Sequence, residues 1–397
     1  MKDQADGYTV VELIVATLIF SVVMSIISAS FSRIVRSSSQ LVKAAETDIG
    51  GLIGLELLRC DLELAGFGLP WSVPDASYSE AGQGVLIKGC QDGCPAADPC
   101  LFNDIPPVEA PRAYRVGNNA GYNGSDYLVL KGSAIGMNSV SRSWSYLNYS
   151  SGGVVVKPSR GEGELKPGSG DRVIVVKSGV TAGSATKELL VEPSGKSFTL
   201  KFNEPLPKEF VPRDRGDSYL VYGVAPDDSG HPLNFPFNRA DYYISRGESV
   251  SSVCAPHTGV LYKTTLNHGG SHTYYPILDC AADLQVVQYL DTNGDGKVDY
   301  KTEVLDEVVL SAEVQREQLR EIRIYILAQQ GKIDRSYSYP VADQERAIVV
   351  GDATWEPSLG VTFGRVWSAA DLLAAFGKEW RNYRWKVYTV VVQPKNL

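Results

Sequence analysis

Positive charge is in short supply. The 397 residues include 38 Lys and Arg against 46 Asp and Glu, a net charge of −8. Nucleic-acid binders draw their affinity from neutralising phosphates, so the acidic balance argues against that class and no nucleic-acid partner is inferred. Only one apolar run is long enough to cross a bilayer, which excludes a polytopic membrane protein. No G-x-S-x-G or similar nucleophile setting occurs, no C-x-x-C-H is present, and Gly161, Gly163 and Gly168 do not form a phosphate loop. These absences leave an enzyme without support. There is no internal repeat, and no Pro/Ser linker marks a domain boundary. Proline is absent before Pro70, so nothing in that stretch forbids a long helix.

What is present belongs to a folded chain. Apolar residues make up 44% and charged residues 21%, a globular and not a disordered balance. The 38 Gly, 21 Pro and 21 Tyr suit a body rich in loops and strands. The six cysteines are Cys60, Cys90, Cys94, Cys100, Cys254 and Cys280. An even set fits disulfides if the body lies outside the cytosol, with free or metal-bound thiols as the alternative. Cys90, Cys94 and Cys100 do not have a zinc spacing. Cys254 and Cys280, in a β-rich stretch, are expected to be bridged. Two of Cys90, Cys94 and Cys100 are expected to pair, leaving Cys60 as a thiol or joined to the third.

From Val10 to Ile27 the only charged residue is Glu12. A helix over residues 8–27 spans roughly 30 Å, the thickness of the hydrocarbon core. An ordinary signal anchor or a secretory signal is the plain alternative. A secretory signal has a basic start and a small-x-small cleavage site, whereas here a polar leader, MKDQADG, precedes Tyr8. A carboxylate at membrane depth is costly and calls for a cationic partner. Cleavage after Gly7 would create one, the α-amino group of Tyr8.

The segment Gly7-Tyr8-Thr9-Val10-Val11-Glu12 resembles the class III signal of type IV pilins and pseudopilins. The resemblance implies that Gly7 ends the leader (residues 1–7), that a prepilin peptidase cuts after it, and that Tyr8 is N-methylated. It implies that Glu12 pairs with the N-terminus of a neighbouring subunit. Tyr8 stands where that family usually has Phe or Met, and the leader has one Lys against two Asp.

Beyond the membrane-length half, residues 8–28, an amphipathic half is expected over 29–66. Leu41, Ala45, Ile49, Leu52, Leu55, Leu58, Leu62 and Ala65 recur at steps of three or four and form one apolar stripe. Gly50, Gly51 and Gly54, each costing about 1 kcal/mol in a helix, mark a bend or a close contact with a sheet. Gly66, Gly68 and Pro70 end the helix. Residues 71–125 read as a loop region. Strands are expected at 127–131, 154–157, 172–177, 198–202, 219–224, 242–245, 260–265, 284–290, 320–327 and 384–392. A capped helix is expected at 368–379 and a weaker one at 306–318. The expected fold is therefore α+β, a long N-terminal helix packed on a large β-rich head, residues 67–397.

One loop has metal-ligand spacing. Asp291, Asn293, Asp295 and Asp299 place oxygens at positions 1, 3, 5 and 9, with Gly296 at the sharp turn and the Lys297 carbonyl at position 7. Ca²⁺ takes six to eight such oxygens. Position 12 is Thr302, and Glu303 beside it serves if the chain after Asp299 runs as a strand. The alternative is a solvated turn between strands. His268 and His272 are read as members of a surface loop.

The stretch 278–299 resembles the minor pilin PilW family, whose strand of type E/D-L-Q-V-x-Y runs into a D-x-[DN]-G-D-G turn. Residues 319–327, the helix exit Leu64-Ala65-Gly66-Phe67-Gly68, and the last strand with its near-terminal Lys395-Asn396 resemble other segments of that family. The resemblance implies a minor pilin that takes part in assembly or priming of a type IV pilus, with no enzymatic role. Its implied partners are other pilin and minor pilin subunits, the prepilin peptidase and the inner-membrane assembly platform. The head would lie in the periplasm before assembly and on the pilus after it. A pilus-associated adhesin-like module and a pseudopilin of a type II secretion-like machine are the alternatives.

Overall fold

Residues Val10–Leu64 form one unbroken helix, α1, about 82 Å long for its 55 residues. The structure is a computed structural model describing residues 10–397 except 75, 83–97, 107–108, 151–152, 159, 162–164, 182–183, 194–196, 204, 228–231, 248–249, 306–310 and 353–361; for 29–50 it describes the backbone alone. Gly7, Tyr8, Cys90 and Cys94 lie outside the described residues, as do the side chains of Leu41, Ala45 and Ile49.

The C-terminal part of α1 lies on a large antiparallel sheet. Leu55, Leu58, Leu62 and Ala65 are buried in one core with Leu130, Tyr242, Leu284, Val286, Ile324, Ile326 and Val390 of the strands beneath. The expected stripe holds for those four residues. Leu52 departs from it and is 53% exposed. The glycines explain the departure: a Cβ on Gly54 would sit 2.1 Å from the Ile277 carbonyl oxygen, and one on Gly51 would sit 2.8 Å from the Leu278 side chain. The helix touches the sheet through its glycine face, so Leu52 and Ile53 point outward.

The helix end is fully accounted for. The last four carbonyls of a helix lack intrahelical partners. Here Ala65 N–H donates to Asp61 O, Tyr114 Oη–H to Leu62 O, Asn396 Nδ2 to Glu63 O and Phe67 N–H to Leu64 O, at 2.6–3.0 Å. Gly66 then turns the chain with φ +86°, and a Cβ there would meet the Asn396 carbonyl at 2.6 Å. The two ends of the head thus meet at one point.

The large sheet has the order β1 (Tyr114–Gly117), β2 (Tyr127–Gly132), β10 (Asn238–Ser245), β11 (Gly259–Leu266), β12 (His272–Leu290), β14 (Leu319–Gln330) and β17 (Arg384–Val392), with β13 (Tyr300–Thr302) paired to β12. Side chains alternate between its faces. Leu284, Val286, Ile324 and Ile326 turn toward α1, whereas Val287, Tyr289, Tyr325 and Leu327 turn to a second core. That core is closed by the hairpin β15 (Ile348–Gly351) and β16 (Gly364–Trp367) and the helix α3 (Ala369–Phe376). A smaller antiparallel sheet has the order β4 (Gly153–Val156), β3 (Ser143–Ser150), β9 (Ser218–Ala225), β6 (Arg172–Thr181) and β7 (Ser184–Leu189); β5 (Arg160–Gly161) pairs β3 and β8 (Leu200–Lys201) pairs β6. Phe67, just past the helix exit, packs edge-on against Tyr222 and Trp144 of this sheet.

Several expectations change. The strand expected at 198–202 shrinks to Leu200–Lys201, and 284–290 is the end of a nineteen-residue strand. The first part of β12 carries Pro276, which lowers a strand reading. A shift of register between Leu261 and Tyr262 on β11 places Pro276 opposite Tyr262. Strands β3 and β7 lie where Ser and Thr alternate with larger residues, and the loop region holds β1. Ser368 and Asp371 form the expected capping box, and the helix ends at Phe376. A short helix, α2 (Ala312–Gln318), starts at the Ser311 cap; 306–310 of the weaker expectation lie outside the described residues.

Candidate functional site

The N-terminal half of α1 makes no burying contact. Val10–Ser28 is long and apolar enough to cross a membrane and is wholly exposed. Two of its hydroxyls bond within the helix: Thr17 Oγ1 donates to the carbonyls of Leu13 and Ile14, and Ser21 Oγ to that of Thr17, at 2.8–3.0 Å. Bonded in this way, those two donors do not need water, as suits an apolar surrounding. Glu12 stands in the first turn, within this stretch.

The junction with the head is electrostatic as well as apolar. Asp61 of α1 is fully buried, accepts a 2.5 Å hydrogen bond from Tyr242 Oη and is ion-paired with the fully buried Lys263 of β11. Burial, and then the Asp61 carboxylate, hold the Tyr242 hydroxyl far above its ordinary pKa.

A larger buried network pins the segment before β1 to the sheet. Lys131 Nζ lies 2.8 Å from Glu80 and 2.5 Å from Asp104. Arg239 donates to Asp241 at 2.8 Å, to Glu80 at 3.0 Å, and to Asn103 Oδ1 and the Pro99 carbonyl at 2.8 Å. Arg112 and Arg115 lie 3.0 and 3.3 Å from Asp104. Burial would raise the Asp104 carboxyl, but Lys131, Arg112 and Arg115 hold it below the ordinary range. None of these residues stood out in the sequence. The signal was there, as Lys131, Arg239, Asp241 and Lys263 are charges inside apolar strand runs.

The loop 291–299 is wound around the Asp291 carboxylate. Asp291 Oδ1 accepts from the Gly294 and Asp295 amides at 2.7 and 3.1 Å. Its Oδ2 accepts from the Gly296 amide at 2.9 Å and from Arg320 at 2.8 Å. Burial pushes this carboxyl up, but Arg320 and the loop amides leave it below the usual carboxylate range. Asn293 Oδ1 accepts from the Asp295 amide, Asp295 Oδ1 from the Lys297 amide, and Asp299 Oδ1 from the Thr292 amide. Glu303 is engaged elsewhere, accepting from the Gly364 amide of β16. Among the described residues no three His, Cys, Asp or Glu side chains are spaced to share a metal ion.

Two carboxyls at β12, Asp126 and Asp283, have no cation at hydrogen-bond distance among the described residues. Asp126 accepts from the Asn119 and Val286 amides, and Asp283 from Gln285 and from Trp367 Nε1. Burial pushes Asp126 up to about 8, with the charges of Asp283 and Glu303 adding to it and the two amides opposing. Cys254 and Cys280 are disulfide-bonded, with Cα atoms 5.1 Å apart, so the loop before β11 is tied to β12. Cys60 and Cys100 are in the thiol form. His268 corrects the surface-loop reading: it lies in the β11–β12 turn, but the residue is only 9% exposed and its ring packs on Phe235 at 4.4 Å between centroids. Comparison with family models, with curated proteins and with solved structures finds no match.

Proposed function

We propose that this chain is a minor pilin-like assembly subunit of the PilW type, entering or priming a type IV pilus or related filament. The observation that carries the reading is the division of α1. One uninterrupted helix is wholly exposed and apolar over Val10–Ser28 and buried against a sheet over its last turns. A plain anchor needs the first half but neither Glu12 within it nor rigid continuity with the head. In the proposed mechanism the helix sits in the inner membrane with its head in the periplasm. The prepilin peptidase cuts between Gly7 and Tyr8, Tyr8 is N-methylated, and the helix passes from lipid into a bundle of other pilin helices. Glu12 then meets the terminal amine of a neighbour, and because a buried ion pair is worth little net stability, its role is to select one register.

The same reading gives the loop a calcium ion. Asp291, Asn293, Asp295 and Asp299 side chains and the Lys297 carbonyl would hold it, and its charge would replace the repulsion of neighbouring carboxylates with attraction. Arg320 would then share Asp291, and Glu303 would join only by leaving the Gly364 amide. The test of the proposed function is the mature N-terminus, read by mass spectrometry on protein from membranes and filaments. A chain starting at N-methylated Tyr8 is expected, and assembled protein starting at Met1 overturns the reading.

A further inference from the structure

A cavity of about 480 Å³ opens where the two sheets meet, beside the β11–β12 turn. That volume lies within the range of small-molecule sites, roughly 300–1,000 Å³. Its wall combines strand ends from both sheets with the turn, and one charged side chain takes part, Arg239. That guanidinium is fully buried and committed to Asp241, Glu80, Asn103 and the Pro99 carbonyl. The site therefore offers an ion no uncommitted charge. What it offers are hydroxyls, those of Thr265 and Tyr275 among them; the Asn138 amide in its wall is taken up by the Val224 carbonyl and the Ser141 amide. Asn267 is set in place by hydrogen bonds from its Nδ2 to Ser271 Oγ at 3.1 Å and Thr273 Oγ1 at 3.0 Å.

His268 is the anomaly in this wall. Its side chain is buried, yet neither Nδ1 nor Nε2 has a hydrogen-bond partner among the described residues. An unsatisfied buried polar group destabilises a fold, and a phenylalanine would pack on Phe235 without that penalty. Burial pushes the imidazole down to about 4, so at neutral pH it is uncharged. A neutral imidazole has one N–H donor and one acceptor nitrogen. A hydroxyl group, itself donor and acceptor, complements either one. Ring packing covers both nitrogens, so contact requires the imidazole to turn about its Cβ–Cγ bond.

We propose that this cavity is a binding site for a neutral saccharide, a hexose or N-acetylhexosamine unit, with His268 and Asn267 meeting its hydroxyls and the Tyr275 ring facing its C–H surface. The proposal goes beyond the assembly reading and stands whether or not the chain enters a filament. It gives the junction of the two sheets a recognition role.

The test uses the full chain in a detergent without a sugar headgroup, with ¹³C-labelled histidine rings. N-acetylglucosamine, galactose and glucose are titrated at pH 7. At least one is expected to shift the His268 ring resonance saturably and to show saturation transfer from protein to sugar protons. His268→Phe is expected to abolish the transfer while leaving the melting temperature unchanged or higher. Ser271→Trp, on the exposed rim, is expected to abolish it by filling the mouth. No saturable shift up to about 50 mM sugar, where a site with Kd about 5 mM is nine-tenths filled, overturns the proposal. So does transfer that persists in both variants. Inorganic phosphate is the control, and a His268 shift with phosphate but with no sugar also overturns it, since the cavity would then select an anion.

Discussion

The two halves of α1 share one backbone and differ in what surrounds them. Val10–Ser28 is apolar on every side and touches nothing in the head, whereas Leu55, Leu58 and Leu62 are buried on a single stripe. The charges differ in the same sense. Asp61 is matched inside the head by Lys263, while Glu12 lies where, in the proposed function, its partner comes from another subunit. A helix that is hydrophobic all round needs lipid or other helices, and one with a single stripe needs only its own domain. In the proposed function the first half exchanges its surroundings, whereas the second stays packed on its own domain.

Glu12→Ala gives the largest expected effect and breaks the first half alone. A buried amine left without its carboxylate costs several kcal/mol, so incorporation into filaments is expected to fall roughly a hundredfold or more. The head's melting temperature should not change. Normal incorporation, measured by immunoblot of sheared filaments, would sink the proposed pairing.

Asp61→Ala breaks the second half. It leaves Lys263 buried without its carboxylate and the Tyr242 hydroxyl without its acceptor, an expected loss of about 3–5 kcal/mol. Denaturant unfolding checks this, and membrane insertion of the N-terminal half should be unaffected.

Calcium sharpens the comparison by acting on the head and not on the apolar half. At a free level 100 times Kd it would stabilise the head by about 2.7 kcal/mol. Melts with calcium and with chelator are expected to differ for the wild type and to coincide for Asp295→Ala. A wild-type melt that does not move removes the ion from the loop.

The smallest effect is a pH slope in the same body. Asp126 has a folded pKa of about 8 against an ordinary value of 3.8, so across that window the folded state binds more protons and stability falls as pH rises. His268, pushed down to about 4, has the opposite slope below its ordinary 6.5. Between pH 6.5 and 8 Asp126 therefore acts unopposed by His268, contributing up to about 1.4 kcal/mol per pH unit. Asp126→Asn is expected to flatten that slope in unfolding measured at pH 6.5, 7.5 and 8.5.

Much of this was legible because it depends on neighbours in the chain. An apolar run without proline, a stripe at steps of three and four, the Ser368–Asp371 capping box and the Asp/Asn/Gly spacing of 291–299 are local patterns with local physics. The Cys254–Cys280 bridge was expected from context and is present. The smaller sheet was half legible. Its apolar strand β6 was expected, but β3 and β7 alternate small polar residues with larger ones and carry little signal of their own.

Sequence alone determined a membrane-length helix continuing into an amphipathic one, a β-rich body and a loop of closely spaced oxygens. Each follows from spacing within a few dozen residues and from the strong preference of apolar side chains to leave water. Tertiary structure alone decided that Gly54 rather than Leu52 faces the sheet, and that Asn396 caps the carbonyl of Glu63. It alone buried Lys131, Arg239 and Lys263 against carboxylates from remote segments, and left the ring of His268 unpartnered beside a cavity. The physical reason is range. A buried charge is tolerated only where an opposite charge arrives, and that arrival is set by which strands pair and how closely the helix lies on them.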